Sequence, residues 1–313
     1  MPAVTPPDIS VLPVLDESDV DPRPVQTIVT AQQAFEGGGF LVHRPFPQPG
    51  ADLGATDPFL MLDEMGPVQY GPGEAKGAPD HPHRGFETVT YLFDGAMEHR
   101  DSTGGGGLLR GGDTQWMTAG AGLVHSETPT PEMLRDGGLM HGIQLWVNLP
   151  RADKLVPPRY QDLSGDKLAL ARTADDRALL RIVAGELGGQ TGPGTTHTPI
   201  VYAHATIEAG GRIALAWPGD YNALVYVVSG VVRVGGDARE VGAHQLAVLA
   251  RDGASVVVAA GERAEVLLLG GRPLREPVAW YGPFVMNAKQ EIIESMDLYE
   301  RGELGAIAPA GDD

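Results

Sequence analysis

His81-Pro82-His83-Arg84-Gly85-Phe86-Glu87-Thr88-Val89-Thr90-Tyr91-Leu92-Phe93-Asp94-Gly95 decides how this chain is read. The later part of the run is rich in β-branched and aromatic residues and closes on Asp-Gly, the pattern of a strand entering a turn. The earlier part sets two imidazoles at i and i+2, which on a strand project to one side. Downstream, Leu123-Val124-His125-Ser126-Glu127 repeats that spacing with an imidazole and a carboxylate. Two neighbouring strands carrying these pairs close a cage of three nitrogens and one oxygen. Such a set suits Fe(II), Mn, Co, Ni or Zn, with positions left open for substrate or oxygen. Spacing does not choose the carboxylate, because Glu87 shares strand parity with His81 and His83.

Composition narrows the class. Forty-three glycines and 26 prolines among 313 residues, with many Val, Leu and Thr, imply numerous short strands joined by tight turns. Zero cysteines exclude disulfides, thiolate ligands, iron–sulfur clusters and cysteine nucleophiles, so a metal must be held by nitrogen and oxygen. A formal net charge of −18 argues against direct nucleic-acid binding, which draws on surfaces rich in Lys and Arg. No run approaches the roughly 20 apolar residues of a membrane span, and Met1 to Asp16 lacks a basic segment followed by an apolar core, so a soluble, cytoplasmic protein is expected. Gly104 to Gly107 is followed by no Gly-Lys-Ser/Thr, which excludes a phosphate loop. Ser102 and Ser126 sit on no nucleophile elbow, which argues against a serine hydrolase.

Four segments are expected. Residues 1–35, where prolines alternate with acidic residues, form an N-terminal extension that is flexible or loosely docked, with Val25 to Thr30 available as an edge strand. Residues 36–162 form a first domain carrying the metal site, ending in a linker, Pro150 to Gln161, without regular strand. Residues 163–286 form a second domain that repeats the first. Thr90 to Gly95 matches Val225 to Gly230, and Gly112-Asp113-Thr114-Gln115 matches Gly242-Ala243-His244-Gln245, at nearly the same offset. That offset sets Ala216 and Pro218 against the histidine pair and Asn222 against Glu87, so the second domain has lost its ligands. Residues 287–313 hold a helix and a tail. Asn287 and Gln290 supply a capping-box pattern, Ile292, Ile293, Met296 and Tyr299 an apolar stripe laid on the barrels, and Gly302 the stop; Glu303 to Asp313 is a flexible tail.

The words around the histidines, together with Asp57-Pro58-Phe59-Leu60, Asp113 to Gly120, Gly142 to Leu149 and Gly282 to Asn287, closely resemble the pirin family of the cupin superfamily, from about Gly37 to about Arg301. The resemblance implies an all-β fold of two tandem cupin barrels (double-stranded β-helix, or jelly-roll) with a short C-terminal helix. It implies one divalent metal ion per chain, Fe(II) first and Ni, Mn, Co or Zn as alternatives, held by His81, His83, His125 and Glu127. Glu87 is the runner-up ligand, because the wider superfamily takes its carboxylate shortly after the first histidine pair; otherwise it orients a ligating imidazole. The implied activity is a metal-dependent dioxygenase of the quercetin 2,3-dioxygenase type, acting on flavonol-like aromatics with O2, with Glu127 also the catalytic base. The alternative is a metal-binding regulatory or stress-response module that modulates a protein partner. His43, His99, His141, His197, His204 and His244 are read as non-ligands, His141 being the candidate pocket residue among them.

Overall fold

The computed structural model describes residues 4–308. Its strands form two barrels built to one plan, each a seven-stranded antiparallel sheet facing a four-stranded one. In the first barrel the large sheet runs Arg159–Leu163, Thr114–Thr118, Phe86–Asp94, Gly138–Asn148, Phe59–Tyr70, Phe40–Phe46, Gln32–Glu36. Its small sheet runs Ala78–His83, Leu123–Pro129, Ala96–Asp101, Gly106–Arg110. The second barrel answers strand for strand with Val25–Thr30, Gln245–Leu249, Asn222–Ser229, Ala264–Gly271, Ile200–Ile207, Ala178–Ala184, Ala169–Arg172, over Arg212–Ala216, Ser255–Ala260, Val231–Val234, Arg239–Gly242. No helix among the described residues is long and apolar enough to cross a membrane.

Strand parity explains the cores. On Phe86–Asp94, Val89, Tyr91 and Phe93 face the second barrel and share a core with Tyr202, Leu224, Tyr226 and Leu267. Leu92 points the other way, into the first barrel, beside Met65, Met97 and Met140. With both faces buried, the strand reads as nearly continuous rather than alternating. Asn222–Ser229 does the same: Leu224 and Tyr226 face the seam, Val225 and Val227 the interior. The interiors differ in chemistry. Thr90 lies across from Gln144 in the first barrel, whereas the corresponding pair in the second is Val225 and Leu268.

Several expectations about segments need correction, although the Val25–Thr30 edge strand is present. The described part of the N-terminal extension is docked: Leu15 is buried in the second barrel's core, and Arg23 is fully buried, donating to the carbonyls of Gly253, Tyr221 and Pro218. Val25–Thr30 pairs with Gln245–Leu249 at the sheet edge. The linker ends in a strand, since Arg159–Leu163 pairs with Thr114–Thr118 once Pro157 and Pro158 are passed. The C-terminal helix is Lys289–Glu300 with Ala288 at its N-cap. Asn287 is occupied elsewhere, donating to Glu276 and Pro277, and Glu291 rather than Gln290 accepts from the backbone nitrogens of Asn287 and Ala288. Ile292 and Met296 pack on Phe284, Met286 and Val124 of the first barrel's surround, while Ile293 and Tyr299 face solvent. Beyond the helix, Leu304 is buried and its carbonyl accepts from Ser102; residues 309–313 of the expected tail lie outside the described residues.

Candidate metal centre

The site is built where Ala78–His83 pairs with Leu123–Pro129, a register that sets His125 directly across from His81. One nitrogen from each of His81, His83 and His125 lies within 4.8 Å of the others. Their other nitrogens are committed. His81 Nδ1 is 2.7 Å from the carbonyl of Pro79, and His83 Nδ1 is 3.4 Å from that of Pro283. A carbonyl only accepts, so both rings carry hydrogen on Nδ1 and a lone pair on Nε2. Those two Nε2 atoms face each other at 3.1 Å, and His125 Nε2 is buried without a partner. Facing lone pairs and an orphaned third nitrogen have no account in hydrogen bonding. A cation supplies one, so the donors fit a divalent metal. Burial, reinforced by the neighbouring imidazoles, holds His83 and His125 well below the usual histidine range and keeps them neutral, the form that ligates.

Behind His125 stands a pair absent from the expected site. His99 Nδ1 is 3.3 Å from His125 Nδ1, and His99 Nε2 is 3.4 Å from Asp101. With its hydrogen on Nε2, His99 donates to Asp101, and its Nδ1 lone pair is shared between the His125 and Gln115 donors, which keeps the His125 lone pair on the metal side. Burial raises the Asp101 carboxyl, but hydrogen bonds from His99, Thr103 and Gly105 outweigh it and hold it at about 2. Tyr160 stacks on His99 at 5.0 Å and Gln115 Nε2 reaches its Nδ1 at 2.7 Å. The sequence signal was the i, i+2 spacing of His99 and Asp101, the same signal that marked the other pairs.

The carboxylates separate clearly. Glu127 lines the histidines' cavity, although its oxygens lie outside the compact imidazole cluster: Thr90 Oγ1 donates to Oε1 at 2.8 Å and Gln144 Nε2 to Oε2 at 2.9 Å. Trp146 Nε1 donates to Gln144 Oε1 at 3.3 Å, which fixes the amide's orientation. Glu87 is on the other face. Thr118 donates to its Oε1, its Oε2 has no partner, and burial pushes it up to about 7. The parity that linked it to His81 and His83 fails because the chain changes sheets at Arg84 and Gly85, where Gly85 has φ +87°. His141 also leaves the pocket, pairing with Glu64 at 2.9 Å in the seam between the barrels.

A cavity of about 540 Å³ opens over the imidazoles, walled by Phe40, Met61, Met65, Met97, Trp146 and Trp280. Trp280 comes from a hairpin, Ala279–Tyr281 with Phe284–Met286, that follows the second barrel yet closes over the first. The family comparisons agree with this layout. Residues 39–147 match the family model described as Pirin, and residues 202–305 match that of the Pirin C-terminal cupin domain. The chain belongs to the pirin family. It is 41% identical to a pirin-like protein of Solanum lycopersicum over 91% of this chain and 94% of the relative. A crystal structure of quercetin 2,3-dioxygenase from Acinetobacter baumannii superposes with a TM-score of 0.85 at 38% identity, covering 91% of this pirin and 99% of that chain. The bacterial pirin YhhW of Escherichia coli, solved in complex with nickel(II), shares the fold at a TM-score of 0.60 and 19% identity, over 79% of this chain and 98% of that one.

Proposed function

We propose that this pirin is a metal-dependent dioxygenase of the quercetin 2,3-dioxygenase type, with Fe(II) held by His81, His83, His125 and Glu127. One observation carries the reading: the His81, His83 and His125 cluster, with Nε2 lone pairs turned to one point, stands at a cavity that His81, His83 and the buried Glu127 line together with aromatic and thioether side chains. The likeness to the Acinetobacter enzyme supports it. When bound, a divalent metal lowers the pKa of a coordinated hydroxyl and engages O2. The chain's own residues do the rest. Trp146 and Trp280, with ring centroids 5.7 Å apart and planes 32° apart, give a flat aromatic substrate a surface to lie on. Glu127 completes the ligand set and accepts the proton of the substrate's 3-hydroxyl, steadied by Thr90 and Gln144. Arg44, on the cavity wall, is neutralised by Asp63 at 2.6 Å and Glu36 at 2.8 Å, so the pocket favours an uncharged polyphenol over an acid.

The test is quercetin with isotopically labelled O2 and protein loaded in turn with Fe(II), Ni, Mn, Co and Zn. The expected products are carbon monoxide and a depside carrying both labelled oxygen atoms. Fully loaded protein that yields neither product with any of these metals would sink the enzyme reading and leave a metal-binding module that acts on a protein partner.

A further inference from the structure

A second cluster of ligand-bearing side chains lies away from the cavity, in the seam between the barrels. His43 and Glu64 face each other across adjacent strands of the first barrel, and His244 reaches them from the turn before Gln245–Leu249 of the second. One ligand atom from each lies within 4.8 Å of the others. We propose that His43, Glu64 and His244 form a second divalent-metal site that clips the two barrels together.

Three observations point to an ion there. His43 Nδ1, which carries the ring hydrogen because the Gln33 amide donates to Nε2 at 3.1 Å, is buried without a well-aligned acceptor. His244 holds a left-handed backbone, φ +59°, to bring its Nδ1 to 2.8 Å from Glu64 Oε2. Such a conformation in a non-glycine residue is uncommon, and strain of this kind gathers at functional positions. Glu64 is itself braced as a ligand would be: fully buried, with His141 on Oε1 and Tyr226 on Oε2 as well as His244. An ion that takes the Nδ1 positions of both rings shifts the hydrogen of His43 and of His244 to Nε2, where a rotated Gln33 amide accepts from His43, and leaves His141 and Tyr226 holding the carboxylate. The two rings stand stacked at 4.0 Å and 14°, so both must tilt to aim their lone pairs at one ion; each is partly exposed, which leaves room for that rotation and a route of entry. Two imidazoles and one carboxylate with solvent completing the set suit zinc(II), cobalt(II), nickel(II) or copper(II).

The test is titration of metal-stripped protein with zinc(II) against a chromophoric chelator, followed by elemental analysis after desalting. Wild type is expected to bind two ions per chain. His43→Gln and His244→Asn, the latter chosen because asparagine tolerates the left-handed conformation, are each expected to lose one ion, with at least a tenfold weakening at that site. The double variant His81→Ala with His125→Ala is expected to retain one ion, and this arm decides the matter if a seam variant fails to fold. A single ion per wild-type chain that both seam substitutions leave in place, two ions insensitive to both seam substitutions, or none in the double variant would each overturn the proposal. The first site does not enter its argument: failure of that site alone would leave the seam substitutions still removing an ion.

Discussion

Each histidine of the candidate centre is aimed by what binds its far nitrogen, and that is where single substitutions are most informative. His99→Ala removes the acceptor that keeps hydrogen on His125 Nδ1; metal affinity is expected to fall tenfold to roughly a hundredfold, measured by chelator competition. His83→Ala or His125→Ala should abolish occupancy of the site outright. Glu87→Gln makes the complementary case: the metal stays, because Glu87 faces the opposite side of its sheet, and its effect appears in stability instead. The Glu87 carboxyl is raised to about 7 by burial, so between about 4.5 and 7 the unfolded chain releases a proton that the folded chain keeps, and stability falls as pH rises through that window. At 1.36 kcal/mol per unit the loss is roughly 3 kcal/mol, and Glu87→Gln should abolish it. Denaturant midpoints at pH 5 and pH 8 would check this; a pH dependence identical in both proteins would refute it. The imidazole pairs were legible in the sequence because i, i+2 spacing survives any strand. The Glu87 ambiguity was not resolvable there, since parity is lost wherever the chain changes sheets.

The change of sheets at Gly85 ties a strand connection to the cavity roof. Gly85 sits at φ +87° against the carbonyl of Val285, Lys154 Nζ donates to the carbonyls of both, and the carbonyl of Pro283 accepts from His83. Burial lowers Lys154 to about 7, and the three oxygens around Nζ, including Asn148 Oδ1, account for its place there. A β-carbon at residue 85 would collide with the Val285 carbonyl and strain the backbone besides. Gly85→Ala is therefore expected to cost several kcal/mol, roughly 2–4 from strain and overpacking together, and to loosen the hairpin over the cavity. Trp280→Ala acts on the same hairpin without touching a metal donor. Metal content should stay unchanged while the KM for quercetin rises roughly tenfold, about the worth of one stacked ring; a change in metal content would show that the hairpin holds the imidazoles rather than the substrate. The hairpin's role was invisible in the sequence, because Gly282 to Met286 lies about 200 residues from the histidines it covers.

The repeat was legible because two segments with matching turns lie at nearly the same offset; the crossing of the chain's ends was not, since periodicity says nothing about which sheet a terminal segment joins. The N-terminal segment packs on the second barrel, and the hairpin and helix after the second barrel pack on the first. The seam between them is apolar, joining Tyr91 and Phe93 to Tyr202, Leu224 and Leu267, with Glu64 bridging His141 of one barrel to Tyr226 and His244 of the other. Neither barrel keeps that surface dry alone, so the two should unfold together, in one transition whose calorimetric and van't Hoff enthalpies agree. Arg23 supplies the discriminating variant, because its guanidinium satisfies three carbonyls of the second barrel. Arg23→Ala strips those carbonyls of their donor and should cost roughly 3 kcal/mol. If the barrels are coupled, the whole transition moves down by several degrees as one peak, and loss of metal from the first barrel follows it. A melt that splits, with the first barrel's share left at the wild-type temperature, would mean that the seam and the crossed ends do not make the two barrels one folding unit.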